Sequence, residues 1–204
     1  MKIGIPYDVR PSARDIKCIR GQPLFAESAY GGTLQKTRFG RSRPRPLPRS
    51  TQESMHLVLR STKAKGEWSF RRPQNQKRLR SLLTRFTGKY GIRVLSLANV
   101  GNHLHFHLKI KTRKDYTSFI RALTGAIVVA ITCSSRWKPL KKTAKDRFWD
   151  YRPFTRIVKS RREVADLRDY IVVNQLEGLG LSRREARFAL AWEKAERGDR
   201  HGDG

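Results

Sequence analysis

The sequence is poor in acidic residues, cysteine and long apolar runs, and each shortage narrows the possible classes of protein. Its 204 residues hold 17 acidic against 45 basic ones, a net charge of +28 with a pI near 11.2. Cys18 and Cys133 form no paired-cysteine motif and suit a reducing compartment. The longest apolar run, 126–133, is much too short to span a bilayer, and the first ten residues lack the apolar segment of a signal peptide.

The excess of positive charge predicts a polyanionic partner. Charge alone leaves an anionic membrane surface open, but nucleic acid is the leading class. We therefore expect a cytoplasmic, nucleoid-associated protein that binds nucleic acid and no membrane.

The first 52 residues show little periodicity and end in RSRPRPLPR at 41–49. Arginines alternate there with prolines, a composition that favours extended, solvated chain over a packed element. Two interpretations are compatible with it: a flexible linker, and a basic arm that grips phosphates. We expect residues 1–52 to be an arm outside the folded domain.

From residue 54 the pattern becomes regular and alternates between the periods of strands and helices. The order is strand, helix, strand, strand, helix, strand. In sequence these segments are 55–60, 75–90, 92–100, 101–110, 114–132 and 151–159. This order predicts an α+β fold of the ferredoxin-like type, β-α-β-β-α-β, with four antiparallel strands and two helices on one face.

Two further helices follow, each preceded by a capping box. Ser160 and Glu163 begin one helix, which Gly178 and Gly180 end, and Ser182 and Glu185 begin the last. The sequence thus divides into the arm at 1–52, a domain at 53–180, and a C-terminal helix and tail at 181–204.

Three of the five histidines lie at alternate positions of GNHLHFHLKI, residues 101–110. Alternate residues of a strand point to the same face, so His103, His105 and His107 lie side by side, while Leu104 and the other apolar residues face the core. Two imidazoles at this spacing can hold one divalent ion. The competing interpretation is a set of surface histidines hydrogen-bonded to neighbours or to phosphates.

GNHLHFHL resembles the His-hydrophobic-His motif of the HUH single-tyrosine transposases, in the branch called REP-associated tyrosine transposases. The segment 168–180, RDYIVVNQLEGLG, resembles the helix motif of that family, a tyrosine followed four residues later by asparagine. The segment 146–158 is also similar to the family sequence. The resemblance covers residues 53 to 180.

The resemblance implies specific roles for the matching residues. His103 and His105 correspond to metal-binding histidines, Tyr170 to the nucleophile, and Asn174 to the polar residue that completes the metal site. The metal would be Mg²⁺ or Mn²⁺. A proline usually follows the asparagine, whereas Gln175 stands here and could compete as a ligand.

Two points about this site stay open on the sequence. His107 lies at a position that is commonly aliphatic, and it could be a third ligand, a phosphate contact or a bystander. The sequence also leaves monomer and homodimer open.

The resemblance implies nicking and joining of single-stranded, hairpin-containing DNA through a 5′-phosphotyrosine, by a transposase or a domesticated descendant of one. The rivals are a non-catalytic nucleic-acid-binding module and a ribosome-associated protein on the same fold. We expect two basic segments to contact DNA. Their residues are Arg41, Arg43, Arg45, Arg49, Arg136, Lys138, Lys141, Lys142, Lys145 and Arg147.

Overall fold

Strand alternation and helical stripes give the chain a main antiparallel sheet that is covered by helices on both faces. The computed structural model describes residues 29–30, 36–37, 40–41, 47, 52–134, 147–150 and 152–199. The strands are β1 Ala29–Tyr30, β2 Lys36–Thr37, β3 Gly40–Arg41, β4 Ser54–Arg60, β5 Arg93–Asn99, β6 His103–Lys109 and β7 Phe154–Val158. The helices are α1 Pro73–Tyr90, α2 Arg113–Thr132, α3 Arg161–Gly178 and α4 Arg183–Asp199.

The main sheet has the strand order β1-β7-β4-β6-β5, and every neighbouring pair in it is antiparallel. Without β1 this is the ferredoxin-like arrangement that the sequence predicts, and that prediction is confirmed. The histidine strand β6 lies between β4 and β5, inside the sheet. Strand β7 begins immediately after Pro153, where proline removes no hydrogen bond from the sheet.

One face of the sheet forms the hydrophobic core with α1 and α2. Leu104, Phe106 and Leu108 of β6 are fully buried on this face. Helix α1 contributes the predicted stripe of Leu79, Leu83 and Phe86, and α2 contributes a matching stripe. Because alternate residues of a strand face opposite sides, the imidazoles of β6 must point to the other face.

Helix α3 covers that other face. The predicted capping box is present: the Ser160 side chain accepts from the Glu163 amide, and the Glu163 carboxylate accepts from the Ser160 amide. Leu167 and Ile171 of α3 pack on Ala98 of β5 and Val158 of β7. The helix is thereby fixed across the histidine face.

Part of the N-terminal arm joins the sheet. Strand β1 pairs with β7, with Ala29 opposite Arg156 and Tyr30 opposite Thr155, so the sheet gains a fifth strand that the sequence did not predict. Leu47 packs against the core, and its carbonyl accepts a hydrogen bond from Arg113. Among the helices of the described residues, none is long and apolar enough to cross a membrane.

Candidate active site

A row of imidazoles lies on the sheet face beneath α3. His103, His105 and His107 follow one another along β6, and the rings of His103 and His105 stand edge to face with centroids 4.8 Å apart. His105 and His107 are buried, while His103 is half-buried at the end of the row. The strand-spacing prediction of neighbouring imidazoles is therefore confirmed as geometry.

A fourth imidazole, His56 of β4, completes the group and was missed by the sequence analysis. His56 lies opposite His107 in the β4–β6 pairing, and its Nε2 is 3.2 Å from Nδ1 of His105. The signal was present in the sequence, because His56 alternates with the core residues Met55 and Leu57. Its significance depends on which strand lies beside β4, and that is not a local property.

Tyr170 of α3 lies directly over this imidazole group. Its ring stands edge to face with His105 at a centroid distance of 5.3 Å and with His56 at 5.8 Å. The side chain keeps 38% of its surface exposed, although the neighbouring histidines are buried. Tyr170 therefore lies between buried polar side chains and solvent, and part of its surface is accessible from outside the protein.

Asn174 and Gln175 follow one turn later on α3 and point in different directions. Asn174 is buried, and its amide nitrogen donates to the carbonyl of Tyr170 over 2.6 Å. Its Oδ1 is the amide atom that can act as a ligand to a cation. Gln175 instead lines a cleft of about 290 Å³ between α1 and the β5 edge, together with Arg71 and Gln76. The structure thus separates Gln175 from the imidazole group.

The buried imidazoles are held in the neutral form. Burial, then the charge of Arg156 and then His107, lower the pKa of His56 to about 3. Burial, then the neighbouring His56 and His103, lower the pKa of His105 to about 2. Burial, then Arg60, lower the pKa of His103. Neutral imidazole is the form that binds metal ions.

The imidazole nitrogens of His103 and His105 and the amide oxygen of Asn174 are suitable ligands for a divalent cation. Within the described residues, no group of three or more His, Cys, Asp and Glu side chains is arranged to hold a metal ion. However, Nε2 of His105 is buried and has no hydrogen-bond partner in that part of the chain. An unpaired buried nitrogen beside His103 and below α3 suits a cation whose third protein ligand is the Asn174 amide.

His107 and Arg156 extend the polar group away from Tyr170. Both ring nitrogens of His107 are buried without a hydrogen-bond partner among the described residues, and burial followed by the charge of Arg168 lowers its pKa. Arg156 of β7 is buried opposite His56, and its guanidinium lies 3.9 Å from the Glu163 carboxylate. Sequence analysis did not single out Arg156, because no local pattern marks a buried arginine.

Of the basic residues predicted to contact DNA, the structure describes two. Arg147 is exposed just before β7, and Arg41 belongs to β3. The others lie outside the described residues. They are Arg43, Arg45, Arg49, Arg136, Lys138, Lys141, Lys142 and Lys145.

Comparison with known proteins shows which family and which solved structures this chain is similar to. Residues 50–174 match the model of the IS200-like transposase family. A REP-associated tyrosine transposase solved bound to a REP hairpin is similar in fold, with a TM-score of 0.52 and 12% identity over 67% of this chain and 73% of that one. A candidate transposase from Deinococcus radiodurans aligns over 66% of this chain and 97% of its own, with 18% identity and a TM-score of 0.39. No curated protein matches the sequence.

The fold is that of the tyrosine transposases: a ferredoxin-like sheet with an added helix across its second face. The chain belongs to the IS200-like transposase family, because that family's model matches more than half of it. The resemblance to REP-associated tyrosine transposases is confirmed. The protein is thus an enzyme of the transposase kind.

Proposed function

We propose that this protein nicks and rejoins single-stranded DNA through a covalent bond between Tyr170 and a 5′-phosphate. The observation that carries the proposal is the position of Tyr170, whose partly exposed ring contacts His105 at 5.3 Å. A phenol beside a buried, unpaired imidazole nitrogen fits a phosphoryl-transfer site better than a packing role.

His103, His105 and Asn174 would hold a divalent ion, Mg²⁺ or Mn²⁺. When bound, the ion polarises the phosphate oxygens and so makes the phosphorus a better electrophile. The imidazoles of His103 and His105 supply neutral nitrogen ligands, and Asn174 supplies an amide oxygen. Helix α3 carries both Tyr170 and Asn174, and their spacing of four residues places them on one helical face.

The Tyr170 oxygen attacks phosphorus, the bond from phosphorus to the 3′-oxygen breaks, and the phenolic proton passes to solvent. The departing 3′-oxygen takes up a proton and becomes a free 3′-hydroxyl. The 5′-phosphate remains linked to Tyr170. The same 3′-hydroxyl, or that of another strand, can then attack the phosphotyrosine and release the tyrosine.

The substrate that we propose is an unpaired strand next to a hairpin. Tyr170 lies between a helix and the sheet, and an unpaired strand is narrow enough to bring its phosphodiester to the phenol there. A duplex is wider and reaches this position less easily. The REP hairpin bound by the structurally similar transposase supports this choice. The net charge of +28 supports a nucleic-acid partner.

The test is incubation with pooled, end-labelled single strands that contain hairpins, with Mn²⁺ or Mg²⁺, followed by denaturing gels. Wild-type protein should give a DNA adduct that survives denaturation. Tyr170→Phe should give none while binding DNA normally, because it loses only a hydroxyl group. Tyr90→Phe is the matched control, because Tyr90 stacks on Phe86 at the end of α1 and lies outside the site.

An adduct in Tyr170→Phe would show that another residue is the nucleophile. Tight DNA binding by wild type with no adduct under either metal would favour the binding-module alternative.

A further inference from the structure

His56 contacts the imidazole that we propose as a metal ligand, and nothing in the proposed reaction uses it directly. Its Nε2 is 3.2 Å from Nδ1 of His105, and the two rings are stacked with centroids 5.5 Å apart. Both histidines are buried, and β4, which carries His56, lies between β6 and β7.

Only one proton can lie between these two nitrogens, and its position decides what His105 offers to a cation. If Nδ1 of His105 carries the proton, His56 accepts it and Nε2 of His105 keeps a free lone pair. If His56 donates instead, Nε2 of His105 becomes a buried N–H with no acceptor among the described residues. In the first arrangement the proton of His56 lies on its Nδ1, which, unlike Nε2 of His105, is not a buried atom without a partner in the described part of the chain.

At His103, the second proposed ligand, the tautomer is selected by a different residue, Asn102. Nδ1 of His103 lies 2.6 Å from Oδ1 of Asn102. An amide oxygen only accepts, so His103 carries its proton on Nδ1 and presents Nε2 as a lone pair. An Nδ1–H tautomer of His105 would give both imidazoles the same arrangement, each with a different acceptor.

We propose that His56 is a positioning residue that fixes His105 in the Nδ1–H tautomer and so directs its Nε2 lone pair to the cation. This inference rests on the proposed metal site. The charge of Arg156 beside His56 favours the neutral ring, which can accept a proton. Loss of such a hydrogen bond to a ligating histidine lowers metal affinity by about 10- to 100-fold.

The test uses the full chain and two variants. Long-range ¹⁵N NMR of the metal-free wild type should show His105 in the Nδ1–H tautomer. Titration with Mn²⁺, followed by the EPR signal of the free ion, should show about 10- to 100-fold weaker binding by His56→Leu. His56→Gln should bind within about threefold of wild type, since its amide oxygen can accept at a similar reach.

An Nε2–H tautomer of His105 in wild type would overturn the inference without any variant. Equal Mn²⁺ affinity of folded His56→Leu and wild type would do the same. If metal binding depends on His56 but no adduct forms on Tyr170, the proposed reaction fails and the positioning role stands. If wild type forms adducts but binds no Mn²⁺, the metal assignment fails, and the positioning role fails with it.

A second, independent feature is the outer face of α4. Helix α4 packs the small residues Ala186 and Ala189 towards the protein and directs its largest apolar side chains outward. Phe188 is 64% exposed and Trp192 61% exposed, and their ring centroids are 6.4 Å apart. An amphipathic helix normally buries such residues.

The unpaired charges on this helix are cationic. Arg184 lies one turn before Phe188 and Arg187 directly precedes it, and neither forms an ion pair with a described residue. The acidic residues nearby are already engaged: Glu193 with Arg197, Glu196 with the indole of Trp192, and Glu177 with Arg183. Two exposed rings flanked by free guanidinium groups match the bases and phosphates of a single strand.

We infer that Phe188 and Trp192 form a stacking platform for unpaired bases of the DNA. This inference also rests on DNA being the partner. Stacking of one base on an aromatic ring is worth about 1–3 kcal/mol, which corresponds to an affinity ratio of about 5- to 150-fold.

The test compares an oligothymidylate with an abasic strand of the same length, in binding to wild type and to the double variant Phe188→Ala, Trp192→Ala. The double variant should bind oligothymidylate at least about 5-fold more weakly and the abasic strand equally well. Equal affinity for oligothymidylate, or an equal loss for both strands, would overturn the inference. So would a dimer that the double variant converts to monomer in sedimentation, since this face would then join two copies.

Discussion

Gly178, the last residue of α3, holds that helix against the end of β5, and replacing it should displace the helix that carries Tyr170. A Cβ at this position would lie 2.7 Å from the carbonyl oxygen of Asn99 and 3.3 Å from Cα of Val100. Both atoms belong to the backbone, so no side chain can rotate away. Such overpacking costs about 1–3 kcal/mol, against a gain of at most about 1 kcal/mol in helix propensity.

We therefore expect Gly178→Ala to lower the free energy of unfolding by about 1–2 kcal/mol, since the packing cost exceeds the propensity gain. For a chain of this size that lowers Tm by about 2–8 °C. Adduct formation should fall further than stability does, because a displacement of about 1 Å at a reacting group can cost about 100-fold in rate. Thermal unfolding and single-turnover adduct formation measure the two effects.

Gly125→Ala is the matched control. Gly125 is exposed within α2, and a Cβ there meets nothing within 4 Å. It should gain up to about 1 kcal/mol from helix propensity and leave adduct formation unchanged. If Gly178→Ala proved as stable as Gly125→Ala, the close approach of α3 to β5 would be wrong.

His103→Ala and His105→Ala should each abolish DNA cleavage in gel assays. His107→Ala should have a milder effect, because His107 does not contact Tyr170. Equal loss of cleavage in all three variants would indicate that the ligand pair is His105 and His107. Removing residues 1–52 should weaken DNA binding and flatten its salt dependence by about 0.7 in slope for each lost phosphate contact. Filter binding at several salt concentrations tests this, and an unchanged slope would make the arm a linker. In metal-free protein, His56 and His105 stay neutral when folded but titrate near 6.5 when unfolded. The unfolded state then binds more protons, so urea titrations should show stability falling as pH drops from 6.5 towards 3, less steeply in His56→Gln.

The fold was predictable because its information is local. Period-two alternation in β6 and the stripe of Leu79, Leu83 and Phe86 in α1 each specify an element and its buried face within a few residues. Tyr170 and Asn174 fall on one helical face by spacing alone. Once the element order was clear, the ferredoxin-like topology placed β6 inside the sheet.

The rest depended on contacts between distant parts of the chain. His56 joins the site because β4 pairs with β6 in one register, and Arg156 joins it because β7 pairs with β4. Gln175 was a candidate ligand because it follows Asn174, but one residue is a rotation of about 100° on a helix. Strand β1 escaped prediction because two paired residues carry no periodicity.

Strand β1 also covers the sheet edge at which two copies of the protein could otherwise pair. At the opposite edge of the sheet, β5 is interrupted by a bulge between Val94 and Ser96, a feature that discourages further strand pairing. Strand β7 has no such irregularity, and β1 occupies its open backbone groups at Thr155 and Arg156. A truncation that begins after residue 52 would free that edge, so it should self-associate at high concentration, whereas one that begins at residue 29 should stay monodisperse.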